Sequence, residues 1–101
     1  MVNLLNILKS TGLKVAYNNF KTPPPLPYLV YLFTNTNNMA ADNKVYKKRN
    51  NYQVELYSKL KDIVSEELVE EALDENDIFY DKTETYIDSE GLYQILYEIQ
   101  A

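Results

Sequence analysis

Apolar positions recur along this chain with two different periods, and each change of period marks a new element. In "VNLLNILKSTG" the residues Leu4, Leu5, Ile7 and Leu8 fall on one side of a 100° wheel, opposite Asn3, Asn6 and Ser10. That spacing predicts a short amphipathic helix, which Gly12 is placed to end. "LKVAYNNF", residues 13–20, alternates instead, with Leu13, Val15 and Tyr17 on one side, and predicts a strand. A second strand is predicted over 28–33, where "YLVYLF" is a run of aromatic and branched side chains. "TNTNNMAADN" is polar and without period, and predicts a loop from 34 to 43. "KVYKKRNNYQVELYSK" predicts two strands joined near Asn50 and Asn51, with Tyr52, Val54 and Leu56 turned inward and Gln53 and Glu55 outward.

The clearest helical period covers 61–75, "KDIVSEELVEEALDE". Val64, Leu68, Val69, Ala72 and Leu73 fill one half of the wheel, and Glu66, Glu67, Glu70, Glu71 and Asp74 fill the other. Ile63 alone falls on the polar side, in a first turn that Asp62 is suited to cap. "DIFYDKTETYID" and "GLYQILYEI" close the chain as a predicted hairpin that turns at Ser89 to Gly91. The order α-β-β-β-β-α-β-β is that of an α+β domain, a mainly antiparallel sheet packed by the N-terminal helix and the second amphipathic helix. A chain of 101 residues makes one domain, 1–101, large enough to bury a core without staples.

The segment "KTPPPLPYLVYLF", 21–33, interrupts this pattern with four prolines in five positions. Its apolar run is far short of the roughly 20 residues of a helical membrane span. Pro24 and Pro27 form a PxxP, the spacing that polyproline-binding grooves select, but Lys21 is the only cation close by. Proline is tolerated at the start of a strand, and strand-forming residues follow at once, so the prolines are expected to be a rigid spacer ahead of a central strand.

Charge alters the picture once it is divided along the chain. Residues 1–61 hold nine cations against two acids, +7, whereas 62–101 hold one cation against thirteen acids, −12. The net of −5 argues against a duplex-DNA binder, which needs a dense basic surface. No histidine and no cysteine is present, which removes the commonest general base, the usual transition-metal ligands and any paired nucleophile. "MVNLLNILKSTG" lacks the charged and apolar blocks of a secretory signal, so the chain is expected to be made and used inside a cell or in a particle assembled there.

Two clusters carry candidate chemistry. Glu66, Glu67, Glu70 and Glu71 resemble the oxygen-rich sets that suit Mg²⁺ or Ca²⁺, but on one solvated helix face they lack converging ligands from elsewhere. The pairs Glu66/Glu70 and Glu67/Glu71 repel at i,i+4, which a facing basic surface would relieve. Lys44, Lys47, Lys48 and Arg49 supply the densest such surface. The flanking Tyr46 and Tyr52 leave open a nucleic-acid reading of residues 44–52. A subunit interface is therefore expected between Lys44, Lys47, Lys48 and Arg49 of one copy and Glu66, Glu67, Glu70, Glu71 and Asp74 of the next.

Four stretches together, "STGLKVAYNNF", "LPYLVYLFTNTNNMAADN", "YQVELYSKLKD" and "FYDKTETYIDSEGLYQILYEI", resemble the tail terminator, tail-completion and minor head-tail joining proteins of long-tailed phages and prophages. The likeness runs from about residue 10 to 99 and leaves out the triple proline. It implies an α+β subunit that forms a ring, commonly a hexamer, capping the tail tube and facing the head connector. It implies a virion protein assembled in the host cytoplasm, partnered by itself and by tail-tube and head-connector proteins. DNA would be met only as it passes through the ring. No enzymatic activity, cofactor, metal or membrane contact is expected.

Overall fold

A computed structural model describes residues 3–41 and 44–101, and of residues 37–41 and 44–49 it describes the backbone alone. The element order is α1 (Leu4–Lys9), β1 (Lys14–Tyr17), β2 (Tyr28–Ala41), β3 (Lys44–Ser58), α2 (Ile63–Glu75), β4 (Tyr80–Ile87) and β5 (Leu92–Gln100). The class is α+β. The five strands lie in the order β1-β2-β3-β5-β4, antiparallel except for the β1–β2 pair.

That parallel pair needs a crossover connection, which the proline segment supplies. A hairpin would return β2 antiparallel to β1, whereas residues 18–27 carry the chain back across the sheet, so that Lys14 to Tyr17 align with Tyr28 to Tyr31. Phe20 of the crossover rests on Tyr28 with ring centroids 5.2 Å apart. The spacer thus leads into an interior strand, with Leu29 fully buried and Val30 nearly so.

Both helices cover one face of the sheet. Leu4, Ile7 and Leu8 of α1 and Val69, Ala72 and Leu73 of α2 pack on Leu29, Val54, Leu56, Ile95, Tyr97 and Ile99. The inward alternation of Val54 and Leu56 matches the expectation from sequence, and the register sets Leu29 beside Leu56 and Val54 beside Tyr97. Asn3 caps α1 through its side chain, and Gly12 just beyond has φ +85°, a left-handed conformation that glycine adopts without strain. Asp62 caps α2 as expected, accepting hydrogen bonds from the Ser65 amide at 3.0 Å and hydroxyl at 2.8 Å.

Two expectations fail in the middle of the chain. Residues 34–41 are not a loop but the continuation of β2, and 44–58 is one strand, not two joined near Asn50 and Asn51. The result is a long hairpin paired from Tyr28↔Tyr57 out to Ala41↔Lys44, so the chain has one strand fewer than its pattern suggests. A bulge at Thr34 breaks the alternation; its hydroxyl donates to the Asn51 backbone carbonyl at 3.0 Å, and the Asn51 side-chain Nδ2 donates to Asn35 Oδ1 at 3.1 Å. Hydrogen bonding of this kind stabilises a ribbon without any apolar period.

Candidate functional site

Neighbouring strands support the β2–β3 hairpin over only part of its length. β1 leaves β2 after Tyr31, where the Asn18 amide donates to the Tyr31 carbonyl and the Phe33 amide donates to the Tyr17 hydroxyl. On the other side β5 follows β3 as far as Asn50, which exchanges both backbone hydrogen bonds with Ala101. Beyond that point 36–41 and 44–49 form a two-stranded arm, and at ~3.4 Å per residue it projects roughly 20 Å. The molecule measures 50 × 27 × 24 Å along its principal axes, as an extended arm requires. Lys44, Lys47, Lys48 and Arg49 stand on this arm at paired positions of β3; their side chains lie outside the described residues.

The second surface is the outer face of α2, and here the helical wheel misleads. Its buried positions are Ser65, Glu66, Val69, Ala72 and Leu73, an arc turned by about 50° from the apolar half that the sequence marks out. Val64 is consequently 70% exposed, and Leu60, Ile63 and Leu68 are exposed with it, whereas Glu66 is only 3% exposed. Glu66 and Glu70 therefore leave the expected interface; Glu67, Glu71 and Asp74 remain on the outer face.

Lysines reaching from outside the helix turn it this way. Lys82 of β4 places its Nζ 2.6 Å from Glu66 Oε1 and 2.8 Å from Glu70 Oε2. Lys61 lies 2.8 Å from Glu66 Oε2 and is paired on its other side with Glu84. The Tyr97 hydroxyl donates to Glu70 Oε2 at 2.9 Å and the Tyr80 hydroxyl to Glu70 Oε1 at 3.3 Å, with the two tyrosine rings in edge contact. Burial pushes both carboxyls up, but hydrogen bonds and charge from Lys82, joined by Lys61 at Glu66 and Tyr97 at Glu70, outweigh it and hold them below their ordinary value. Burial and the neighbouring Glu70 carboxylate push the Tyr97 hydroxyl up, so it stays protonated as a donor.

The Glu66/Glu70 repulsion is thus relieved within the chain, and the two carboxylates turn away from Glu67 and Glu71. Among the described residues no group of three or more acids is placed to hold a metal ion, and no helix is long and apolar enough to cross a membrane. Glu67 and Glu71 make no ion pair among the described residues. Phe79, 93% exposed, stands beyond the end of α2 beside a shallow cleft of about 420 Å³ that Asn35, Asn51 and Gln100 also line at the root of the arm. Among the described residues no helix lies over the opposite face of the sheet. There Gln94 donates to the Tyr57 hydroxyl, which donates to Glu55, and burial helps push Tyr57 up to about 12.

Val64, Leu68 and Phe79 are thus exposed apolar groups, and the arm projects from the body. The apolar half of the helical wheel assigns Val64 and Leu68 to the core, whereas both are exposed, and no periodic signal marks Phe79. No family model matches the sequence, and neither does any curated protein.

Proposed function

We propose that the chain is a structural protein of the head-tail junction of a long-tailed phage or prophage, forming a ring of its own copies, commonly a hexamer, that caps the tail tube and joins it to the head. The observation that carries this reading is that two unlike surfaces stand apart on one small domain: a projecting arm rich in cations and a helix face that is both apolar and acidic. A subunit with two unlike complementary patches associates head to tail, and such contacts close into a ring where the rotation permits. The resemblance in the aromatic strands supplies the biological setting. Catalysis has little support in the chain. It has no His or Cys, and buried Glu66 and half-buried Glu70 are held ionised by lysines instead of being poised to exchange a proton.

A phage or prophage that encodes this chain, with its coding sequence deleted, should accumulate filled heads and finished tails that remain unjoined, and adding the purified chain to that extract should join them. Normal particles in the deletion strain would sink the proposal. The arm also supports a second reading, because a two-stranded ribbon bearing four cations is an element that can enter a DNA major groove. Duplex binding whose affinity falls steeply with salt, by a chain that stays monomeric, would favour it.

A further inference from the structure

The outer face of α2 has the composition of half an interface. Leu60, Ile63, Val64 and Leu68 are exposed on it or just before it, and Glu67, Glu71 and Asp74 stand among them. On the wheel Glu67 and Glu71 fall between Ile63 on one flank and Val64 and Leu68 on the other. Left in water, this face keeps a like-charge i,i+4 pair beside an exposed apolar pair, Val64 and Leu68. Its cover must bring cations interleaved with apolar groups, on an element narrow enough to lie along a helix of 13 residues.

The chain itself carries such an element. The arm has Lys44, Lys47, Lys48 and Arg49 on one strand, and its register pairs Met39 with Lys47 and Ala40 with Val45, so apolar residues sit between the cations. Because the ribbon runs on from the end of the sheet, it extends away from the body. We infer that the outer face of α2 is the seat of the β2–β3 arm of a second copy, with Lys47 and Arg49, which share one face of the ribbon by their register, set against Glu67, Glu71 and Asp74 and the ribbon lying over Val64 and Leu68. This contact rests on the self-assembly reading and names the two surfaces that make it. Each subunit gives an arm to one neighbour and receives an arm from the other. The charges fix orientation and register, and the covered apolar pair supplies the affinity.

The absence of cysteine makes a direct test available. One batch of full-length chain carries Lys47→Cys and another Val64→Cys; mixed and oxidised, they should give the mixed disulfide dimer in clear excess over either like-with-like dimer. In parallel, Lys47→Glu with Arg49→Glu should raise the concentration needed for assembly by at least about tenfold, and adding Glu67→Lys with Glu71→Lys to the same chain should restore it. An assembling chain that gives no excess of the mixed dimer, or an arm-reversed chain that assembles like the wild type, overturns this contact and leaves ring formation standing. A wild type that stays monomeric both alone and with tail tubes overturns the contact together with the reading beneath it. Arm reversal that abolishes salt-sensitive duplex DNA binding while leaving the oligomeric state unchanged assigns the arm to nucleic acid and likewise overturns the proposal.

Discussion

Glu66 decides how α2 sits on the sheet. Its carboxylate is buried and Lys82 is the nearer of its two cations, so removing that amine leaves a charge in a place that water barely reaches. Lys82→Met should cost about 2 kcal/mol in urea unfolding at neutral pH, below the ~3–5 kcal/mol of a fully enclosed pair because Lys61 remains and Lys82 is partly solvated. Adding Glu66→Gln to that variant should recover part of the loss, whereas Glu67→Gln on the outer face should change stability by less than about 0.5 kcal/mol. If Lys82→Met unfolds at the wild-type urea concentration, the clamp does not hold the helix. Acid tests the same cluster. The folded carboxyls lie below their ordinary 4.5, so their contribution is complete above that value and is lost as pH falls through the lower folded values. Lys82 is raised above its ordinary 10.5, so its share is present below that value and is lost only as pH climbs through the higher folded one. Unfolding midpoints should therefore be flat between these limits and should drop on acidification more steeply in the wild type than in the Lys82→Met, Glu66→Gln double variant.

At the scale of elements, the helices and the sheet body were legible because their side chains face a core and repeat with its period. Leu4, Ile7 and Leu8, Val54 and Leu56, and the β4–β5 hairpin turning at Gly91 all stand where their alternation or helical spacing puts them. The arm was not legible, because 34–41 carries no apolar period; its strands are joined by backbone pairing, and at its root Thr34, Asn35 and Asn51 add side-chain hydrogen bonds. The turn of α2 was hidden for the opposite reason. The wheel counts Glu66 as polar, and only the fold shows that Lys82, sixteen positions on, reaches it. A two-stranded ribbon is marginal by itself in water. Amides of 29–32 and 52–57 should exchange slowly in the isolated domain, those of 36–41 and 44–49 quickly, and the arm should gain protection when the protein assembles. Equal protection of arm and body in dilute protein would show that the arm needs no partner.

The whole molecule is polarised twice, in charge and in shape. Its cations gather in the first 61 residues and on the arm, and its acids gather beyond. Exposed ion pairs contribute only about 0–1 kcal/mol each, so high salt should slow assembly and weaken it modestly without abolishing it. Val64→Asp, at a position 70% exposed, puts a charge into the apolar patch, so it should block assembly while leaving stability within about 1 kcal/mol of wild type. Loss of folding in that variant would mean that the patch serves the domain itself. The central claim is that the domain closes on copies of itself through two unlike patches. Native mass spectrometry of the full chain over rising concentration tests it most directly. The account predicts monomer giving way to a single closed stoichiometry, the hexamer expected of a tail-capping ring, with no larger species following. A chain that remains monomeric throughout, even with tail tubes added, or that grows into polymers of every length, would contradict it.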